Sequence, residues 1–313
     1  MNVMKPYWML AKREVWEHKS LWIVQLVLLG IGIFGALWGS AALIISAQHG
    51  LFSLPDIQNH VSVGNRALLI HGLIISGAIG ADIFMLFVVC FYLMDCLYGD
   101  RRDRSVLFWR SMPVSDTATV LSKLFTGMVT APVIMLAQVI VAEIVIGIIF
   151  VIAFAFLGVN LLGIQFAPGT IIAAWITLAF GLWVQSLWFL PYFGWFLLCS
   201  AWAKKLPLGW TVLVPLGAML LEGIVFRTHY LFNAIFGHMG RWFGALDVRE
   251  SFRGMGAGVM VVVPSQPLSH TGWLMTVGSV ADYLLRPEMW IGVGIGILFI
   301  LGAIWLRRNR SEI

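Results

Sequence analysis

Six stretches of the chain are apolar for long enough to cross about 30 Å of hydrocarbon, which takes about 20 residues of helix. They are Leu21–Ile45, Ala67–Leu97, Leu124–Leu157, Thr170–Ala203, Trp210–Phe226 and Met289–Leu306. The first has no signal-peptide cleavage pattern and reads as a retained helix. The second, third and fourth exceed a single crossing, and tilt or extension into the cytosol absorbs the excess. Pro191 removes a backbone donor in the middle of the fourth and marks a place where that span can break.

The segments between the spans carry amphipathic patterns. In residues 1–20, Lys5, Lys12 and Lys19 recur every seventh position and share one helical face, with Trp8, Ala11 and Val15 beside it. This arm reads as a helix on the inner membrane surface, or more plainly as a polar lead-in. Between the fifth and sixth spans, residues 227–288 are too many for a simple turn. Leu231, Phe232, Ile235, Phe236, Met239, Trp242 and Phe243 repeat at helical spacing, as do Trp273, Leu274, Val277, Val280, Ala281, Leu284 and Leu285. Two amphipathic helices are expected there, joined by glycine-rich Arg249–Gly258 and β-branched Val259–Val263. They form either a cap on the bundle or a lid at an exit path.

Composition narrows the class. Of 313 residues, 60% are hydrophobic and only 11% charged, with a mean hydropathy of +0.91. A soluble domain carries about 25% charged residues, so soluble enzymes, secreted disulfide scaffolds and disordered chains are excluded. Cys90, Cys96 and Cys199 form no CxxC pair and suggest neither zinc nor a disulfide framework. The expected fold is an all-α polytopic membrane protein.

Charge orients it. Fourteen of the twenty Lys and Arg residues lie in the arm, the 98–123 loop, the Lys204-Lys205 turn and the tail 307–313. The other side has Arg66 and five more in the long 227–288 segment, where long loops count little. Both termini and the 98–123 loop are therefore expected in the cytoplasm, which requires an even number of crossings. The net charge of +5 belongs to this bias, not to nucleic acid.

Catalytic signatures are missing from the sequence. No lysine follows a glycine, so there is no GxxxxGK[ST] phosphate loop, and HExxH and GxSxG are absent too. Gly77-Ala-Ile-Gly80-Ala-Asp82 lacks the adjacent Gly-Asp pair of intramembrane aspartyl proteases. His229, His238 and Met239 sit on an amphipathic helix pattern and do not read as a metal site. Ionisable groups at membrane depth are costly and default to a functional hypothesis. From the rise per residue, Asp82 lies about 22 Å, Glu143 about 28 Å and Glu222 about 18 Å from the cytoplasmic ends of their spans. These three are the candidate pathway residues: they line a polar cavity, bind a cationic headgroup, or are hydrogen-bonded within the bundle. Asp95 lies near the inner interface beside Asp100 and the arginines, where it reads as a helix-end charge paired with Arg101 or Arg102.

The richest stretch is the 98–123 loop. Val106, Leu107, Phe108, Trp109 and Met112 make an apolar knot too short to cross anything, flanked by Arg104 and Arg110 and ended by Pro113. Ser115 suits an N-cap with Asp116 in the first turn of the following helix. A greasy knob on a basic cytoplasmic loop fits a groove in a protein partner, or else lies on lipid.

With these elements in place, the chain resembles the permease subunits of type-2 ABC transporters, the ABC-2 or type V bacterial exporters. The resemblance rests on the Lys12-Arg13-Glu14-Val15-Trp16-Glu17-His18 arm, the Arg101–Arg110 loop, the Arg110-Ser-Met-Pro-Val-Ser115 turn with Lys123 beyond it, and Arg286-Pro-Glu-Met-Trp-Ile-Gly292 with Arg307-Arg308. It covers the whole chain in topology, although the segment between the fifth and sixth spans is longer than the minimal family pattern. The resemblance implies six spans in a bacterial inner membrane, a connecting helix at 1–20 and elements that dip back between spans five and six. It further implies a coupling helix carrying Arg104, Val106, Leu107, Phe108, Trp109, Arg110 and Met112. A second, identical permease chain would complete the path, and two copies of a separate ATPase would hold ATP and magnesium, this chain binding no cofactor itself. The cargo class is a lipid, a lipid-linked molecule or an amphipathic peptide-like molecule. Gly35-x-x-x-Gly39 and Gly292-x-x-x-Gly296 permit close helix contact without identifying the dimer seam. The rival readings are an ion- or proton-coupled secondary carrier using the intramembrane carboxylates, and a membrane sensor or scaffold that transports nothing.

Overall fold

The computed structural model describes residues 13–50, 63–103, 115–158, 168–245 and 277–309, and every regular element among them is helical. After a helical turn at 13–17 come α1 (Ser20–Gln48), α2 (Val63–Arg102) and α3 (Asp116–Phe125), the last running through a π-turn at Thr126–Thr130 into α4 (Ala131–Phe156). Then follow α5 (Pro168–Trp188), α6 (Leu190–Trp202), α7 (Pro207–Val225), α8 (Tyr230–Ala245), α9 (Val277–Leu285) and α10 (Pro287–Asn309).

Among the described residues, five helices are long and apolar enough to cross a membrane, or six if the bent pair α5–α6 is one span. Their outer faces carry large apolar side chains such as Phe34, Trp38, Phe87, Leu213 and Leu298, all more than half exposed. Such a surface suits hydrocarbon and not water. By length and composition the chain is a multi-pass membrane protein.

The third long helix illustrates how local sequence sets architecture. Ser115 Oγ accepts the Ala118 N–H at 3.1 Å and Asp116 occupies the first turn, so the helix starts where its orphan donors find an acceptor. From Asp116 to Phe156 it runs 41 residues. That is about 60 Å, twice the hydrocarbon thickness, in accord with the expected extension beyond the span. Pro132 interrupts it: it has no N–H to give the Met128 carbonyl, and the π-turn lies just before it. Ser186 Oγ donates to that carbonyl at 2.9 Å from α5.

The expected break in the fourth span is present. α5 and α6 meet at 53° around Phe189, just before Pro191. α1 packs along α4, and α6 along α10. The second contact is backbone to backbone: a Cβ built on Gly194 would lie 2.6 Å from the Gly296 carbonyl oxygen, and one on Gly296 would lie 2.8 Å from Leu190 backbone atoms. The Gly292-x-x-x-Gly296 spacing thus serves a contact inside the chain. Gly35 and Gly39 have nothing within 4 Å.

Of the two helices expected between spans five and six, α8 matches the first pattern and α9 the later part of the second. The Arg249–Gly258 and Val259–Val263 stretches lie outside the described residues.

Candidate coupling and pathway sites

At the end of the bundle where α2, α3 and α10 meet, charges from four distant parts of the sequence converge. Lys123 Nζ donates to both oxygens of Glu14, at 3.1 and 3.3 Å, and lies 3.4 Å from the Asp100 carboxylate. Lys123 is 1% exposed, Glu14 2% and Asp100 9%. Arg307 continues the chain of contacts, reaching Asp100 at 3.3 Å through Nη1 and Asp116 at 3.0 Å through Nε. Tyr92 O–H donates to Glu14 at 2.9 Å. Three carboxylates thus face two cations and one phenol donor. His18 Nε2 stands 4.0 Å from Glu14, its ring edge-on to Tyr92. Burial, reinforced by Lys123 and opposed by Glu14, lowers the His18 pKa below its ordinary 6.5, so the imidazole is neutral at pH 7 and adds no third cation.

These contacts have a specific topology. Asp100 and Asp116 flank residues 104–114, one on each side. Both are tied to Arg307 at the end of α10, and Asp100 is also tied through Lys123 to Glu14 of the N-terminal arm. A second clamp lies beside the first. Arg101 Nη2 donates to the Ser200 and Ala203 carbonyls at the end of α6, at 2.5 and 2.9 Å, while Ser200 Oγ accepts the Leu97 and Tyr98 N–H groups. Arg102 pairs with Asp103, and Asp95 is exposed. The candidate coupling residues Arg104, Val106, Leu107, Phe108, Trp109, Arg110 and Met112 lie outside the described residues, as do Lys5 and Lys12.

The three intramembrane carboxylates do not form one site. Asp82 Oδ2 accepts a hydrogen bond from Gln185 Nε2 at 2.7 Å. Glu143 Oε2 accepts one from Trp175 Nε1 at 2.6 Å, while its buried Oε1 has no partner among the described residues. Glu222 closes the corner between α7 and α8, accepting the Tyr230 and Leu231 N–H groups at 2.7 and 2.8 Å and the Thr228 hydroxyl at 2.8 Å. That is an N-terminal cap delivered from the preceding helix. An apolar cavity of about 370 Å³ opens beside it, lined by Leu216, Leu220, Ile224, His229 and Phe232 among others.

The α5–α6 break is closed by α8. His238 Nε2 donates to the Trp188 carbonyl at 3.0 Å and Trp188 Nε1 donates to the His238 carbonyl at 3.0 Å, with the two rings stacked 4.2 Å apart. Tyr192 O–H donates to the Ile235 carbonyl at 2.6 Å, and Tyr283 O–H to the Arg241 carbonyl at 3.0 Å. Broken backbone at membrane depth is tolerated where protein groups satisfy it, and here the amphipathic helix supplies them. His238 is therefore a packing and hydrogen-bonding residue. No group of three His, Cys, Asp or Glu residues able to hold a metal occurs among the described residues.

Glu14, Lys123, Asp100, Arg307, Tyr92, Gln185 and Trp188 were not singled out as site residues by sequence reasoning. Charge position carried part of the signal. Lys123 directly precedes an apolar run, and Asp100, Asp116 and Glu14 are acids at the edges of spans where basic residues predominate. Compared with known proteins, the chain matches no family model, no curated protein and no solved structure.

Proposed function

We propose that the chain is the permease subunit of an ATP-driven ABC-2-type exporter, working with a second copy of itself and two copies of a separate ATPase. In this reading α5–α6 is a single bent span. Six spans cross a bacterial inner membrane with both termini in the cytoplasm, and the cargo is lipid, lipid-linked or amphipathic. One observation carries the reading: the Glu14–Lys123–Asp100–Arg307–Asp116 network, buried at Glu14, Lys123 and Asp100, ties both flanks of residues 104–114 to the N-terminal arm and to the end of the last helix. A push on the 104–114 loop would reach α2, α3 and α10 together, as a coupling element requires. The apolar knot supplies a handle for the partner, with Phe108 and Trp109 as anchors.

Reporter fusions after Lys123, after Lys205 and at Ile313 are expected to read cytoplasmic, and a fusion near Gly256 external. A cytoplasmic signal at Gly256 would overturn the six-span topology.

Phe108→Ala combined with Trp109→Ala is expected to release the ATPase or uncouple its hydrolysis from export. Truncating an anchor buried in a partner's pocket costs about 2 kcal/mol or more, roughly thirtyfold in affinity. Arg104→Ala is expected to do much less, and less still at high salt, because rim charges are screened. Co-purification of a separate ATPase subunit with wild-type and doubly substituted chain, together with a transport assay, decides the matter. A fully coupled complex from the double variant would mean that the loop only rests on lipid.

A second reading, an ion-coupled carrier, is favoured by the buried carboxyl of Asp82. Export driven by an imposed ion gradient in ATP-depleted vesicles would select it.

A further inference from the structure

Asp82 sits along α2, 8% exposed, with Gln185 and Ser186 of α5 each 4% exposed beside it. Gln185 Nε2 occupies Oδ2 of the carboxyl, and no described residue donates to Oδ1. A cavity of about 20 Å³ opens between Asp82, Gln185, Ser186, Gly127, Pro132 and Phe193. That is room for one water molecule. The place adjoins two irregularities of the helices. The Ser186 hydroxyl lies 2.9 Å from the Met128 carbonyl of the π-turn and from the Leu182 carbonyl of its own helix, and the α5–α6 break begins three residues later, at Phe189.

Among the described residues, no countercharge faces the carboxyl. α1, α5 and α6 contain no Asp, Glu, Lys, Arg or His over their described lengths. Tyr192 of α6 is bonded to the Ile235 carbonyl. On the α3–α4 helix, Asp116 and Lys123 belong to the charge network at the far end, and Glu143 is bonded to Trp175. Glu222 of α7 caps α8. On α2 itself Asp95, Asp100, Arg101 and Arg102 lie thirteen or more residues away, about 20 Å, and His71 is eleven residues towards the other end, about 16 Å. An ionised carboxylate with one amide donor, no cation and one water is poorly compensated in an apolar interior.

From this geometry we propose that Asp82 is a proton-binding site: the carboxyl holds a proton on Oδ1 in this packed state and exchanges it through the one-water cavity. Loading is a simple transfer in which hydronium gives its proton to Oδ1, an O–H bond forms, and neutral water remains. Unloading leaves a charge that a single water does not hydrate. More water must enter between α2, the π-turn and α5, where the Ser186 hydroxyl lies 2.9 Å from both the Met128 and the Leu182 carbonyls. Proton occupancy therefore favours the closed packing of α2 against α4 and α5. The site needs neither an ATPase nor a cargo.

The test is infrared spectroscopy of the full chain in lipid nanodiscs, wild type against Asp82→Asn, with thermal unfolding followed over the same pH series. At pH 7 the wild type is expected to show a carboxylic-acid C=O band that Asp82→Asn lacks. The folded state holds this proton and the unfolded carboxyl in water gives it up. Stability is therefore greatest at acid pH and is lost as pH rises to the point where the buried acid ionises. The band and the stability should fall together in the wild type, and Asp82→Asn should lack that fall. If Asp82→Asn does not fold, Asp82→Glu keeps the acid and shifts its band, which identifies it equally. A wild type with no acid band at pH 7 assignable to residue 82 overturns the proposal. So does sodium-dependent stabilisation of the wild type, lost in Asp82→Asn, because the site would then hold a metal cation.

Discussion

Replacing Lys123 with methionine is expected to cost the fold about 3 kcal/mol or more, the usual consequence of leaving a buried charge without its partner. Methionine fills much of the lysine stem's volume, so packing changes little and the loss isolates the ammonium. Glu14 suffers most. Its two oxygens are bonded by Lys123 and by Tyr92 O–H, and only the phenol remains in the variant. Asp100 keeps Arg307 at 3.3 Å, which limits the damage on that side. The second substitution Glu14→Gln removes the stranded charge and should restore a large part of the loss, because neutralising both members of a buried pair costs less than removing one. The melting temperature in mild detergent, measured for wild type, both single variants and the double, completes the cycle. A Lys123→Met protein as stable as the wild type would mean that the network is hydrated and carries little energy. In the permease reading the double variant has a further use: it folds but has lost the tie between the N-terminal arm and α3, so a weakened link between ATP hydrolysis and export is expected.

The elements legible in the sequence are those whose cause is local. The apolar runs mark the spans. Ser115 and Asp116 mark the start of a helix, and Pro191 marks the break. The helical repeat of Leu231–Phe243 marks α8. Each depends on residues within a turn or two of one another, where spacing translates directly into a shared face. What was not legible joins residues far apart in the chain. Glu14 and Lys123 are 109 residues apart, and Asp100 and Arg307 are 207 apart. Lys123 and Arg307 counted as orienting charge in the sequence, and they are also the cations of a partly buried cluster. His238 did not read as a metal site, but its actual role was hidden too, because nothing within its own helix shows that a carbonyl 50 residues earlier needs a donor. Glu222, grouped with Asp82 and Glu143 by depth alone, caps the next helix. Depth along a span is a one-dimensional measure, and a polar group's partners are set by which faces meet.

Small-residue spacing shows the same gap between local pattern and packing, and it supplies the second large effect. Gly194→Ala is expected to destabilise the chain by about 2–3 kcal/mol, the upper range for overpacking. The added methyl would lie 2.6 Å from the Gly296 carbonyl oxygen and 3.1 Å from Phe299 Cβ, so it meets backbone that no rotamer change can move. Gly296→Ala should behave alike, since its Cβ would stand 2.8 Å from the Leu190 carbonyl carbon and oxygen. Either variant has to push α6 away from α10 just below the α5–α6 break, loosening the seat on which Leu190 and Phe193 are buried. Gly35→Ala is the control. Nothing lies within 4 Å of its Cβ position, and alanine is a better helix former than glycine by about 0.5–1 kcal/mol. Melting temperatures in mild detergent should therefore fall for the first two variants and hold or rise for the third. In the permease reading, which pairs two copies of the chain, the fraction of dimer on sizing adds a separate readout. A Gly35→Ala protein that melts normally but loses its dimer would place the seam between copies on α1, whereas an unchanged melt for Gly194→Ala would mean that α6 and α10 do not touch backbone to backbone.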